Sequence, residues 1–573
     1  MALVVLAGSA CSSDLAEIDA KTDALIKDRL ERIGAGASRS PERGAVLGEG
    51  APAGAAALEK NPGTVNPQTG ELEFKTRPAE GSAFESTEVQ ARLAGYAMTA
   101  ANAPTMTLGG AFKQAQITAR EFLNAEEEYI LAAIRLLIQR HNFDPRFFNT
   151  TTIGVSKTDT PSDSRQRVPL AIMNELGVTQ RLPDGGELVA SLVWDATEAL
   201  RQSATERYEQ SSSLVLSGRI PLLRGAGPVA REDLIQAERD LIYGARFFED
   251  FRRRLLVDVA SDYFDLVRQA ATIKNQERQL ESLKRLQERT AALVEAGRLP
   301  EFQKNIAASN VLTATSSLAN QREGFILSLD RFKVRLGLDI REGLMLDPAI
   351  LKLPEPDITP TEAARLALEY RLDLQTLRDR LIDQRRAVAN AQNAVLPDLQ
   401  LSGSITPRTK PGVREGGFVY EPRDVIYEGG VTFGLPLDRE TERLNVRSAQ
   451  IRLAQSQREL DRFRDSIVVD VRARVRELDR ARFNLQLAEE SVSINRRRLE
   501  EQELKKDEVT AQQVVETENE LLAAENARDQ AVTDLRNAVL NYLRDTGQLR
   551  VARDGTLESL PGMGDGAATP TAP

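Results

Sequence analysis

The chain has 573 residues and a net charge of −10, with 28% charged and only 5% aromatic residues. That composition suits long polar helices better than several compact aromatic cores. The negative charge argues against a nucleic-acid partner, which needs a basic face, and a single His with a single Cys excludes a histidine-rich metal site and an intrachain disulfide. No apolar run reaches the roughly 18 residues of a membrane-spanning helix, which leaves soluble, peripheral and β-barrel membrane proteins.

Residues 1–11, Met-Ala-Leu-Val-Val-Leu-Ala-Gly-Ser-Ala-Cys, read as the apolar core and small-residue end of an export signal whose basic n-region is missing, so the true start is expected upstream. Small residues before Cys11 and Ser12-Ser13 after it match a bacterial lipoprotein cleavage site with Cys11 as the acylated residue, although Gly8 stands where Leu is usual. A plain secretory leader with an incidental Cys is the competing reading. Either one directs the chain out of the cytoplasm. Within the 12–105 extension, 13–33 reads as one charged helix, and the Ala-, Gly- and Pro-rich stretch to residue 104 as irregular linker.

Organised sequence resumes with one helix over about 106–140. Strands are expected at 147–156 and 214–222, with an extra hairpin at 177–180 and 187–194 turned by Pro183-Asp184-Gly185-Gly186. Whether this hairpin joins the main sheet is left open by the sequence. Next comes a prolonged helix over about 228–296, a turn at Gly297-Arg298-Leu299-Pro300 with Pro300 at the first helical position, and a return helix ending at Gly337. A linker at 347–357 separates this unit, 106–346, from a second one at 358–550.

The second unit follows the same order. Thr359, Pro360 and Glu362 mark a helix start with a capping box, and Leu396-Pro397 stops the helix near Val395. Alternating strands follow at 399–406 and 425–437, with Val425, Tyr427, Val431, Phe433, Leu435 and Leu437 on one face. A helix over about 438–506, a turn at Asp507-Glu508-Val509-Thr510 with Thr510 and Gln513 as capping box, and a return helix ending at Gly547 complete it. Residues 551–573 read as a disordered tail. Gly218-Arg219-Ile220-Pro221-Leu222 recurs as Phe433-Gly434-Leu435-Pro436-Leu437, and Val257-Asp258-Val259 as Val469-Asp470-Val471. Two tandem copies of one unit are the expectation. Each long helix would measure roughly 100 Å at 1.5 Å per residue. Val259, Leu266, Ile273 and Leu280 fall seven apart, as do Val471, Leu478, Leu485, Val492 and Leu499, a seam suited to coiled-coil packing.

Four main strands are too few to close a membrane barrel, and helices with so narrow a seam need lateral neighbours; both needs are met if several copies assemble about an axis. The Ile220-Pro221-Leu222-Leu223-Arg224-Gly225-Ala226-Gly227 stretch, the Leu396-Pro397-Asp398-Leu399 joint and the Ala296-Gly297-Arg298-Leu299 turn resemble the TolC-type outer-membrane efflux family, over about 106–550. That resemblance implies a mainly α fold with a membrane β part. It implies a homotrimer in outer-membrane lipid, a 12-stranded β-barrel with four strands from each chain, and a periplasmic tube of twelve helices. An inner-membrane transporter and a periplasmic adaptor would be partners, and the chain would be an exit duct for efflux or type I secretion, without cofactor or metal.

The family also places gate carboxylates just after the second hairpin turn, which makes Asp507, Glu508, Gln513 and Glu516 the candidates; Gln513 stands where relatives can carry Asp. Glu516 and Glu518 as ordinary solvated charges is the competing reading. Gly297, Leu299, Pro300, Val509 and Thr510 are the candidate adaptor-facing tips. Trp194, Phe418, Tyr420 and Tyr427 are candidates for an aromatic girdle at the membrane interface, with hairpin packing an equal reading for Trp194. His141 has no His or Cys companion, so a capping or buried role is expected. No nucleotide-binding, hydrolase or metalloprotease motif occurs, and the chain is not expected to be an enzyme. A coiled-coil scaffold without transport activity is the alternative function.

Overall fold

The computed structural model describes residues 15–33, 105–155, 169–199, 208–347, 356, 359–409, 420–504, 510–551 and 557–558. Cys11, Phe418, Asp507, Glu508 and Val509 lie outside them. The described residues fall into two compact units, one drawn from segments 1–126, 248–371 and 467–573, the other from segments 127–247 and 372–466. Each unit therefore takes pieces of both expected sequence copies. Helix α1 (Leu15–Ile33) forms where the charged helix was expected.

In the first unit a two-residue strand β1 (Thr105–Met106) leads into α2 (Leu108–Thr118), capped by Thr107, whose Oγ1 accepts from the Gly110 N–H. The single helix expected over 106–140 is in fact two. Ala119 is extended, with φ −66° and ψ 122°, and α3 (Arg120–His141) starts afresh. Thr359 likewise caps α6 (Pro360–Tyr370), Arg371 is extended at φ −68° and ψ 122°, and α7 (Leu372–Ala394) follows. The cap at Thr359 is simple rather than a full box, because the Glu362 carboxylate turns to Arg365, 2.8 Å away.

These breaks have a tertiary cause. The return helix α5 (Glu301–Leu336) ends on Gly337 at φ 72°, and a Cβ there would lie 2.2 Å from the Thr118 carbonyl oxygen. The return helix α9 (Ala511–Asp545), capped by Thr546, is followed by Gly547 at φ 75°, where a Cβ would lie 2.9 Å from the Tyr370 carbonyl carbon. A bare helix end thus presses into each extended link, and only glycine combines the left-handed turn with so close an approach.

The long helices α4 (Glu232–Glu295) and α8 (Glu440–Leu504) have 64 and 65 residues, and their partners α5 and α9 have 36 and 35. Along α4 the expected seam holds at Val259 and Leu266, both buried. Ile273 and Leu280 are only half-buried; beyond Leu266 the buried positions are mostly polar, at Thr272, Asn275, Gln276, Gln279 and Thr290, with Leu283 apolar among them. On α8, Val471, Leu478 and Val492 are buried, while Leu485 and Leu499 are half-buried. Pro300 sits at the N-cap of α5 with ψ 146°, not at its first helical position.

Tyr263 of α4 ties the first unit to a small parallel pair in which β1 meets β6 (Met345–Leu346). Its hydroxyl proton is shared between the Asp347 and Met106 carbonyl oxygens, at 2.5 and 3.1 Å, and burial, helped by the Asp347 charge, pushes its pKa up to about 12. A phenol whose folded pKa is raised contributes stability fully below its unfolded pKa, near 10, and loses it as pH climbs through the folded value. Alkaline unfolding is therefore expected between pH 10 and 12, and Tyr263→Phe should blunt that portion while lowering stability at neutral pH; circular dichroism melts across this range check it.

The second unit holds one antiparallel sheet of β2 (Arg146–Val155), β3 (Pro169–Arg181), β4 (Glu187–Ala199), β5 (Tyr208–Pro221), β7 (Asp398–Thr409) and β8 (Tyr420–Gly434), hydrogen-bonded in that order. The sheet thus holds six strands, and the hairpin whose place the sequence left open belongs to it. The hairpin marked by Pro183-Asp184-Gly185-Gly186 is β3–β4, with 13 residues in each strand, and it lies in the middle of the sheet rather than beside it. Helices α4 and α7 brace the unit: Tyr243 donates to the Asp383 carboxylate at 2.5 Å, Arg386 bridges Asp383 and Glu232, and Arg246 meets Asp379 at 2.7 Å.

Candidate pore wall and helix tips

Strand alternation sorts the sheet into two faces of opposite character. Following the pairing register, Phe147, Ile153, Leu176, Leu192, Leu216, Ile405, Tyr427, Val431 and Phe433 share one face. That face is apolar yet uncovered: Phe147 is 75% and Tyr427 74% exposed, and Ile153, Leu216, Ile405, Val431 and Phe433 are exposed with them. A polar patch interrupts it where Asn174 donates to Asn149 and Thr151 at 2.8 and 2.7 Å, which satisfies one amide through its neighbours.

The opposite face carries Thr150, Glu175, Ser191, Asp195, Ser217, Arg219, Ser402, Ser404 and Glu428. It curves around a hollow of about 560 Å³ lined by Glu187, Arg219, Ser402, Ser404 and Glu428 among others, with Arg219 and Glu187 paired at 3.1 Å. One exposed oily face and one wet charged face is the pattern of a barrel wall between lipid and a water-filled lumen. It is not the pattern of a sheet that packs on a core.

The girdle candidates are placed unevenly. Trp194 lies opposite Ser212, Ser212 exchanges backbone hydrogen bonds with the Thr409 hydroxyl and meets the Tyr420 hydroxyl at 3.0 Å. Trp194 and Tyr420 thus belong to one row across four strands. Tyr427 is opposite Ile405, further down the ladder toward Phe433. The indole Nε1 of Trp194 is buried without a hydrogen-bond partner among the described residues.

At the far end of the helices, Gly297 and Pro300 are exposed and Leu299 half-buried, with Gly297 at φ 69° making the turn. The expected capping box on α9 is present: the Thr510 N–H donates to Gln513 Oε1 at 3.0 Å and the Gln513 N–H to Thr510 Oγ1. The Gln513 side chain is thereby committed to its own helix end. Glu516 is exposed, whereas the Glu518 carboxylate accepts from the Ser282 hydroxyl at 2.5 Å. His141 ends α3 exposed, with Nδ1 3.5 Å from Asp144, so the buried reading does not hold.

Sequence reasoning missed the polar zip between α4 and α9. Gln279 donates to Asn519 at 2.6 Å, Asn275 to Asn526 and Asp529 at 3.2 Å, and buried Glu525 takes Arg278 at 2.6 Å and Arg496 at 3.3 Å. Heptad counting fixes on apolar residues and passes over a seam built of amides. Glu525→Gln keeps the shape but removes the charge from both pairs, so a loss of about 1–3 kcal/mol is expected in denaturant melts.

No family model matches the chain, and no curated protein matches it in sequence. Solved structures do match. The outer-membrane channel OprN aligns over 77% of this chain and 89% of its own, at 16% identity and a TM-score of 0.58. The CmeC outer membrane channel of Campylobacter jejuni gives 17% identity and a TM-score of 0.58 over 77% and 85%. The MtrE outer membrane channel of Neisseria gonorrhoeae gives 14% and 0.57 over 77% and 88%. The chain has the outer-membrane channel fold. At these identities the likeness speaks for architecture, and it agrees with the TolC-type resemblance read from the turn and joint residues. Among the described residues no helix of this channel fold is long and apolar enough to cross a membrane.

Proposed function

We propose that three copies of this chain form the outer-membrane exit duct of an efflux or type I secretion assembly. The observation that carries this reading is the sheet: its apolar face is bare, and among the described residues its outermost strands β2 and β8 are each paired on one side only. A free edge in lipid leaves backbone groups unsatisfied, each at a cost of several kcal/mol. Directions alternate from β2 to β8 through an even number of strands, so β8 of one copy can pair antiparallel with β2 of the next and the ring closes without mismatch. The exposed Leu444, Ile451, Phe483, Leu487 and Ile494 of α8 supply apolar seams for neighbouring copies within a helical tube.

The matched helix lengths and the two glycine-sealed joints support a tandem repeat, 106–346 and 358–550, as the origin of the chain. Below the barrel the helices would cross the periplasm to a periplasmic adaptor and an inner-membrane transporter. The hairpin tips, with exposed Phe302 and Ile306 on the first turns of α5 beside Gly297, Leu299 and Pro300, form the adaptor surface, together with Val509 and Thr510. Glu516, repeated threefold, is the gate carboxylate, since Gln513 is held by its cap; Cys11 is the site of a lipid anchor.

Fractionation combined with heat-modifiability on a gel tests the whole. A duct partitions with the outer membrane and migrates as a heat-labile trimer. A scaffold of coiled coils stays soluble, and a detergent-independent monomer would end this reading.

A further inference from the structure

We infer that the β3–β4 hairpin is a transmembrane part of the wall, so that the barrel contains eighteen strands, six from each of three copies. The inference rests on the trimeric duct for the number of copies and on the sheet itself for the number of strands.

Three observations put the hairpin in the wall. Its register continues on both sides without a break: ten consecutive pairs, Arg146↔Thr179 to Val155↔Leu170, join it to β2, and twelve, Glu187↔Arg219 to Glu198↔Tyr208, join it to β5. Its faces agree with those of its neighbours, Leu176 and Leu192 on the apolar side, Glu175, Ser191 and Asp195 on the polar side. A hairpin folded over the mouth or into the lumen would have no use for that agreement. Strands of 13 residues also exceed the 9–11 needed to cross a bilayer when tilted.

The hairpin is fitted as well as aligned. Gly177 of β3 lies beneath the Phe148 ring of β2, where a Cβ would come within 2.6 Å of that ring and 2.8 Å of Ser191 Cβ on the other side. This is the pairing in which an aromatic ring covers a strand glycine and pins register. At the lower end Gly185, with φ 94°, nests against the segment that leads into α4. A Cβ on Gly185 would meet the Gly225 carbonyl oxygen at 2.5 Å and Ala230 at 3.1 Å, and the Gly227 N–H donates to the Asp184 carbonyl at 3.2 Å.

Two further strands widen each copy's share of the wall by about 10 Å at the ~4.8 Å strand spacing. With a tilt of about 40°, eighteen strands close into a barrel about 36 Å across. Barrels of this strand number leave an open aqueous channel, so discrimination between solutes falls to the helical end of the duct.

Electron microscopy of the purified full-length assembly counts the strands directly. Cysteine labelling in proteoliposomes gives an independent answer, using Cys11→Ser chains that carry Glu175→Cys, Leu176→Cys, Leu192→Cys or Val193→Cys singly. Eighteen strands, with a membrane-impermeant maleimide reacting at positions 175 and 193 but not at 176 and 192, is the expected result. A trimer with twelve wall strands, or four positions that label alike, overturns the inference and leaves the duct intact. A soluble monomer overturns both.

Discussion

Gly337→Ala is expected to disable the chain more than any other single methyl addition. The residue sits at φ 72°, where a side chain costs about 1–2 kcal/mol. The added carbon would also stand 2.2 Å from the Thr118 oxygen and 3.1 Å from the Ala119 nitrogen. Neither neighbour is a flexible tip that can swing away. The backbone of the α2–α3 link would have to retreat, and the Thr118 hydroxyl would lose the Leu336 carbonyl that it reaches at 2.5 Å. A total loss of more than about 3 kcal/mol is expected, in the range that marks a strained special site. Gly547→Ala, with its closest approach at 2.9 Å, should cost less. The order of the two melting temperatures therefore tests the joint, and equal melting would show that the clash is not what matters.

The second large effect separates neighbours in one strand. Leu216 and Ser217 are adjacent in β5, one on the apolar face and the other on the polar face. Leu216→Arg puts a cation against lipid, at about 2–4 kcal/mol if it lies near the bilayer midplane, multiplied by every copy in the ring. Loss of the heat-labile trimer band on a gel of unheated sample is the expected readout. Ser217→Arg should assemble normally and shift ion preference in planar bilayers toward anions, because its guanidinium joins Arg219 in the lumen. If both variants assemble equally well, the bare apolar face is not in contact with lipid.

The order of strands and helices was legible because it rests on local signals: period-two alternation, proline and glycine stops, and a seven-residue seam. The return helices end one and two residues before the expected glycines, and the Thr510–Gln513 box formed as its residues require. The extended links at Ala119 and Arg371 were not legible. Thr118-Ala119-Arg120 and Tyr370-Arg371-Leu372 contain neither glycine nor proline to break a helix, and what opens them is a glycine some 200 positions away along the chain for Ala119. The hairpin's place in the sheet was hidden for the same reason: pairing partners are a tertiary fact. Its signal was available, though, in the matched alternation of Leu176, Val178, Leu188 and Leu192, had both flanking strands been extended outward from the turn. Of the site candidates, the sequence marked the tips, the acidic stretch and the Gln513 cap, but only coordinates could assign Glu518 to a serine.

The arithmetic of direction in the sheet has a consequence for how such ducts can diversify. Each strand reverses the chain's heading, so in the proposed wall a single extra strand would deliver α4 to the wrong side of the bilayer and strand everything after it. Crossings added in twos return the chain to the same exit, and the parts downstream need no redesign. In the proposed duct, girth is then a modular property, adjustable by tandem excursions of some thirty residues while the helices that follow stay unchanged.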